Sequence, residues 1–146
     1  MSIHSYSKIW VHIIWETHNR EKLLNEKAAK AVSEYLFNYS KEHNIFMKVN
    51  YVNPEHVHTL IDLPTKYSIE ECLKLLKGSS SHFVNENQLT IGRFSWGRGY
   101  AALTISPSVV DKVVEYIKNQ REHHRFKGFS EEYADFIQKY SIELNR

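Results

Sequence analysis

The stretch HVHTLIDL, 56–63, sets the tightest limit on what this chain can fold into. Strand alternation puts Val57, Thr59, Ile61 and Leu63 on one side and His56, His58, Leu60 and Asp62 on the other. The first set is apolar enough to lie under helices. The second carries two imidazoles, each of which must find a partner or stay wet. Such a strand belongs inside a sheet with a helical layer on one face and the histidines on the other.

The flanking periodicities say which sheet. KIWVHIIWE, 8–16, is rich in Ile, Val and Trp and suits a central strand. Asn25 can cap a helix with the apolar stripe Ala28, Ala31, Val32, Tyr35, Leu36 and Tyr39. IFMKVNYV, 45–52, reads as a second strand in which Ile45, Met47, Val49 and Tyr51 alternate onto one face. Asn53, Pro54 and Glu55 form a tight turn into the histidine strand. Ser68 with Glu71 makes a capping box that opens a second helix, running to about Val84 and weakened in its middle by Gly78 and the serines 79–81. A fourth strand follows at 100–105, entered by a glycine turn. Ser106 and Pro107 start a third helix over about 108–124, and a short helix over about 130–140 closes the chain.

The order is βαββαβ with extra C-terminal helices. It predicts an α+β, ferredoxin-like antiparallel sheet with the first and third strands in the middle. No linker, repeat or low-complexity segment interrupts it, so residues 1–146 read as a single domain. One cysteine, Cys72, excludes a disulfide framework and a cysteine-based zinc cluster. The N-terminal apolar stretch is broken by His12, is too short to span a membrane and has no signal-peptide layout, so the expected setting is cytoplasmic with no membrane contact. A net charge of only +2 means that any polyanion-binding surface must be local.

Two histidines are too few for a metal site, so a further ligand has to come from elsewhere. On the third helix, at about 100° per residue, Val113, Tyr116, Ile117, Gln120, His123 and His124 share one face. Tyr116 and Gln120 lie one turn apart. An amide on a packing face needs a hydrogen-bond or metal partner. The combination proposes two imidazoles, His56 and His58, and the amide oxygen of Gln120 on one cation, with a phenol beside them. His123 or His124 is the alternative third ligand. A basic and aromatic set surrounds these residues: Lys74 and Lys77 on the second helix, Trp96, Arg98 and Tyr100 around the WGRGY turn, and Lys118, Arg121, Arg125 and Lys127 past Tyr116. Cations interleaved with exposed rings suit single-stranded nucleic acid, the cations following phosphates and the rings stacking on bases.

His56-Val57-His58 resembles the HUH motif, and YIKNQ, Tyr116 to Gln120, resembles the YxxxQ signature of single-tyrosine enzymes. With FSWGRGYAAL and NQREHH in the same order, the chain resembles the IS200/IS605-like (Y1) transposases, including their REP-associated relatives, from the first strand to about Tyr140. The resemblance implies a homodimeric nuclease and strand transferase acting on single-stranded DNA with hairpin ends. It gives Tyr116 the role of nucleophile, linked transiently to a 5′-phosphate. It gives His56, His58 and Gln120 one divalent ion, Mg²⁺ or Mn²⁺. Rival chemistries fail on residues: a histidine-triad hydrolase needs a histidine at position 60, which is Leu. The non-enzymatic alternative is a ferredoxin-like nucleic-acid-binding or regulatory module. A host-domesticated REP-associated nuclease is a further one.

Overall fold

The computed structural model describes residues 5–121, together with Ala134 and Gln138, both helical. The rest of the helix expected at 130–140 lies outside the described residues, as do His123, His124, Arg125 and Lys127. The elements are β1 (Trp10–Glu16), α1 (Glu26–Glu42), β2 (Phe46–Val52), β3 (His56–Asp62), α2 (Ile69–Glu86), β4 (Ala101–Thr104) and α3 (Val110–Lys118). Single 3₁₀ turns at His18–Arg20 and Pro107–Val109 precede α1 and α3. The sheet order is β2-β3-β1-β4, with every neighbouring pair antiparallel. This is the expected α+β, ferredoxin-like arrangement, with β1 and β3 central.

The helices start where the sequence supplies acceptors for their first N–H groups. The Asn25 side chain accepts from Ala28 N at 2.8 Å. Ser68 and Glu71 exchange the two bonds of a capping box, at 2.9 and 3.0 Å. One face of the sheet packs on α1 and α2. Val11, Ile13 and Trp15 of β1 and Val57 and Ile61 of β3 are buried there against Val32, Leu36, Leu73 and Leu76. Each such aliphatic side chain contributes about 1.5–3 kcal/mol on burial. The other face packs on α3 through a smaller core of Val49, Leu60, Ile105, Val110, Val113 and Ile117.

Two expectations need correction. The alternation of Ile45, Met47, Val49 and Tyr51 breaks at a β-bulge: Met47 pairs with Ile61 and Val49 with Leu60, leaving Lys48 as the extra residue. Ile45 and Met47 therefore join the α1/α2 core, while Val49 and Tyr51 turn to the α3 side. The third helix also starts later than position 108. Ser106 caps a 3₁₀ turn, regular α-helix begins at Val110, and Asn119 interrupts it before Gln120 and Arg121.

Candidate active site

The histidine face of β3 is covered by α3, and both imidazoles are buried: His56 is 0 % and His58 1 % exposed. Their Nε2 atoms stand 3.1 Å apart. Each ring is held from behind through its Nδ1. His56 Nδ1 is 2.9 Å from Glu55 Oε1, and His58 Nδ1 is 2.9 Å from Nε2 of His12 on β1. A carboxylate only accepts, so His56 Nδ1–H donates to Glu55 and the Nε2 lone pair is left pointing inward. Holding the outer nitrogen this way is how proteins fix the tautomer of a metal-binding imidazole.

Gln120 arrives from the end of α3, fully buried. The Asn53 side-chain amide donates to Gln120 Oε1 at 3.3 Å and lies 3.2 Å from His56 Nε2. One donor thus serves two acceptors, so the Gln120 amide oxygen and the His56 lone pair both face the Asn53 amide nitrogen. Gln120 Nε2 has no hydrogen-bond partner among the described residues. Among the described residues no group of three or more His, Cys, Asp or Glu side chains is arranged to hold a metal ion. A cation here would rest on two imidazoles and an amide oxygen, a donor set that the convergence fits and that leaves positions for water or phosphate oxygens.

One turn before Gln120, the half-buried Tyr116 ring stands edge-on to His58, with centroids 5.9 Å apart at 76°, and edge-on to His12 at 6.4 Å and 67°. The structure therefore brings His56, His58, Gln120 and Tyr116 together. Sequence reasoning missed His12, Asn53 and Glu55. Burial first, and then the neighbouring His58, hold the His12 imidazole well below its ordinary pKa, so it is neutral near pH 7. Its signal in the sequence was an imidazole inside an otherwise apolar strand. The turn residues Asn53 and Glu55 gave no separate signal.

The family described as "Transposase IS200 like" matches residues 5–120, which spans the sheet, both crossover helices and α3 through Gln120. The chain belongs to the IS200-like transposase family. Its class of activity is therefore that of a transposase. Among its relatives are the transposases for insertion sequence element IS200 of Salmonella typhimurium and Salmonella typhi. Each is 26% identical over 119 residues, covering 78% of both chains. The fold resembles that of a crystal structure described as a transposase of Deinococcus radiodurans R1, with TM-score 0.62 and 24% identity over 82% of this chain and 96% of that one. It also resembles a REP-associated tyrosine transposase bound to a REP hairpin, with TM-score 0.60 and 16% identity over 85% of this chain and 74% of that one.

The basic and aromatic residues of this IS200-like transposase divide sharply. Lys74, Arg98 and Lys118 are exposed. Arg121 is exposed and ion-paired with Glu26 at 3.1 Å. Lys77 does not project into solvent as expected. Its Nζ donates to the carbonyls of Gly97, Arg98 and Gly99 at 2.7, 3.3 and 3.3 Å, and burial pushes its pKa down. Trp96 is not an exposed ring but 8 % exposed, packed edge-on against Trp15 and Phe94. The reason is chemical: its indole N–H reaches Ser80 Oγ at 2.9 Å, so the ring can be buried with its donor satisfied.

Proposed function

We propose that this transposase is a metal-dependent enzyme that nicks and rejoins single-stranded DNA through a phosphotyrosine at Tyr116. The observation that carries the reading is the convergence of His56 Nε2, His58 Nε2 and Gln120 Oε1 beside the Tyr116 ring. A phenol, with a pKa of about 10, is a weak nucleophile at neutral pH, so the phosphate must be made more electrophilic. A divalent ion held by His56, His58 and Gln120, Mg²⁺ or Mn²⁺ with imidazoles favouring Mn²⁺, would supply Lewis-acid stabilisation of charge on the scissile phosphate.

The protein's own part is positioning. Glu55 and His12 hold the two imidazoles with Nε2 inward, and α3 sets the Tyr116 ring edge-on to His58. The Tyr116 oxygen bonds to phosphorus, the bond to the 3′ oxygen breaks, and the phenol proton ends on that departing oxygen as a 3′-OH. The 5′-phosphotyrosine keeps the energy of the broken ester, so another 3′-OH can reverse the step without ATP. A substrate with hairpin ends is supported by the REP hairpin bound to the REP-associated neighbour. Homodimeric assembly belongs to the same reading, through the family resemblance, and light scattering tests it.

The deciding experiment incubates labelled, hairpin-bearing single strands with Mn²⁺. The expected product is a DNA–protein adduct that survives denaturation, is absent in Tyr116→Phe and is sharply reduced in His56→Ala. Equal adduct from Tyr116→Phe removes the nucleophile assignment. Cleavage unchanged by chelator removes the metal role. Binding with no covalent product under any condition favours the non-catalytic module.

A further inference from the structure

A cleft of about 170 Å³ opens beside the histidines, lined by Ile14, Glu16, Arg20, Tyr100 and Ala101 among others. Register fixes where it lies. Ile14 pairs with His58 and Glu16 with His56 across β1 and β3, and Ile14 pairs with Ala101 across β1 and β4. Facing residues of antiparallel strands are about 4.5–5.5 Å apart. The cleft is thus the next strand over from the converging imidazoles, where a nucleotide adjoining a phosphate bound there would fall.

Its walls are unlike a phosphate groove. Ile14 and Ala101 are apolar and buried, and the Tyr100 ring is 43% exposed. The exposed Tyr100 ring, seated beside this apolar floor, suits the flat face of a base. Glu16 adds a carboxylate, held by Arg20 with Nε at 3.1 and 3.3 Å from its two oxygens. A carboxylate on a surface that meets phosphates weakens binding unless it meets hydrogen-bond donors. Among the bases only guanine presents two adjacent donors on one edge, N1–H and N2–H, which a carboxylate takes in parallel.

The backbone is bent to deliver this pair. Asn19 and Arg20 both sit at φ 57, in the left-handed region that side-chain-bearing residues rarely occupy. Bonds on either side hold them there: Thr17 N to Glu55 O at 2.9 Å and His18 N to Ser95 O at 3.1 Å before them, and Glu21 N to His18 O at 3.3 Å after them. Strain maintained by its surroundings is common at ligand sites. Gly97, three residues before Tyr100, lets the turn approach β1. A Cβ there would meet Thr17 O at 3.3 Å, and Gly97 N donates to Glu16 O at 2.8 Å.

We infer that the Glu16–Tyr100 cleft is a base-reading subsite that takes one unpaired guanine next to the cleavage position. Glu16 reads its Watson–Crick edge, Arg20 positions the carboxylate and Tyr100 stacks on the ring. The inference rests on the single-stranded DNA reading above and extends it to base specificity.

The test is binding, not cleavage. Tyr116→Phe protein in chelator selects from a pool of stem–loop strands with randomised single-stranded flanks. One flanking position is expected to become enriched in guanine. Adding Glu16→Gln should abolish enrichment at that position alone. Adding Tyr100→Ala should weaken retention while keeping the preference. Inosine at that position, which lacks the N2 donor, should weaken binding about tenfold, and 7-deazaguanine should not. The inosine comparison needs no change at Glu16, so it stands whether or not Glu16→Gln folds. No guanine enrichment, enrichment that survives Glu16→Gln, or equal binding of inosine each overturns the subsite. Because no covalent step is read, failed adduct formation and a failed subsite remain distinguishable.

Discussion

His12 is the residue on which the candidate metal site turns. Its Nε2, 2.9 Å from His58 Nδ1, decides which nitrogen of His58 carries the proton. Removing such a partner costs about 10–100-fold in metal affinity in comparable sites. His12→Ala should therefore bind Mn²⁺ that much more weakly by calorimetric titration, with the circular dichroism of the wild type. An unchanged affinity would mean that His58 needs no such support. The same residue shapes stability. Its folded pKa lies well below the ordinary 6.5, through burial first and then His58. As pH falls below that value the unfolded chain takes up a proton that the folded chain refuses. Stability is thus insensitive to this group above its ordinary pKa and declines below it, by up to about 1.4 kcal/mol per pH unit. Urea titrations of metal-free protein down to about pH 5 should show the decline, and His12→Gln should lessen it. A slope of equal size in His12→Gln would assign it to other groups. The sequence displayed His12 as an imidazole in an apolar strand. It could not display the register that sets His12 beside His58, because strand pairing depends on residues far apart in the chain.

At the level of elements, the WGRGY turn behaves differently from its composition. Lysine, arginine, tryptophan and tyrosine together read as an open nucleic-acid platform. Two of that set instead build the turn: Lys77 reaches across from α2 to three carbonyls, and Trp96 plugs into the α1/α2 core. Ser80, which looked like a weak point of α2, is the acceptor that lets the indole be buried. Trp96→Phe should lower unfolding free energy by about 1–3 kcal/mol, through the lost hydrogen bond and lost volume. Its affinity for single-stranded DNA should match the wild type in fluorescence anisotropy. A loss of affinity with unchanged stability would restore the platform reading. The element order, both caps and the inward face of β3 were legible because they depend on local spacing and on which residues are apolar. The bulge at Lys48 was not. A single inserted residue flips the face of everything after it, and nothing local in FMKVNYV marks it.

For the whole molecule, the sheet divides two cores of unequal size. Among the described residues, the α1/α2 side buries three aromatic rings, Trp15, Phe94 and Trp96, among many aliphatic residues, whereas the α3 side holds six buried aliphatic side chains, three of them α3's own. Opening free energy follows buried apolar contact, so α3 should open more readily than α1 or β1. The candidate site straddles that seam: His56 and His58 belong to the sheet, and Gln120 and Tyr116 belong to the α3 segment. An ion that bound all three ligands would bind only the docked arrangement and would stabilise it by mass action. Hydrogen exchange should therefore show α3 amides less protected than those of α1 in the metal-free protein. Saturating Mn²⁺ should slow α3 exchange selectively. In Gln120→Ala, an ion still held by His56 and His58 would no longer be tied to α3, and the selective slowing should disappear. Persistent slowing in Gln120→Ala would show that α3 is not joined to the ion through this amide. Equal slowing of α1 and α3 in the wild type would mean that the ion stabilises the fold globally without tying the tyrosine helix to the histidine strand.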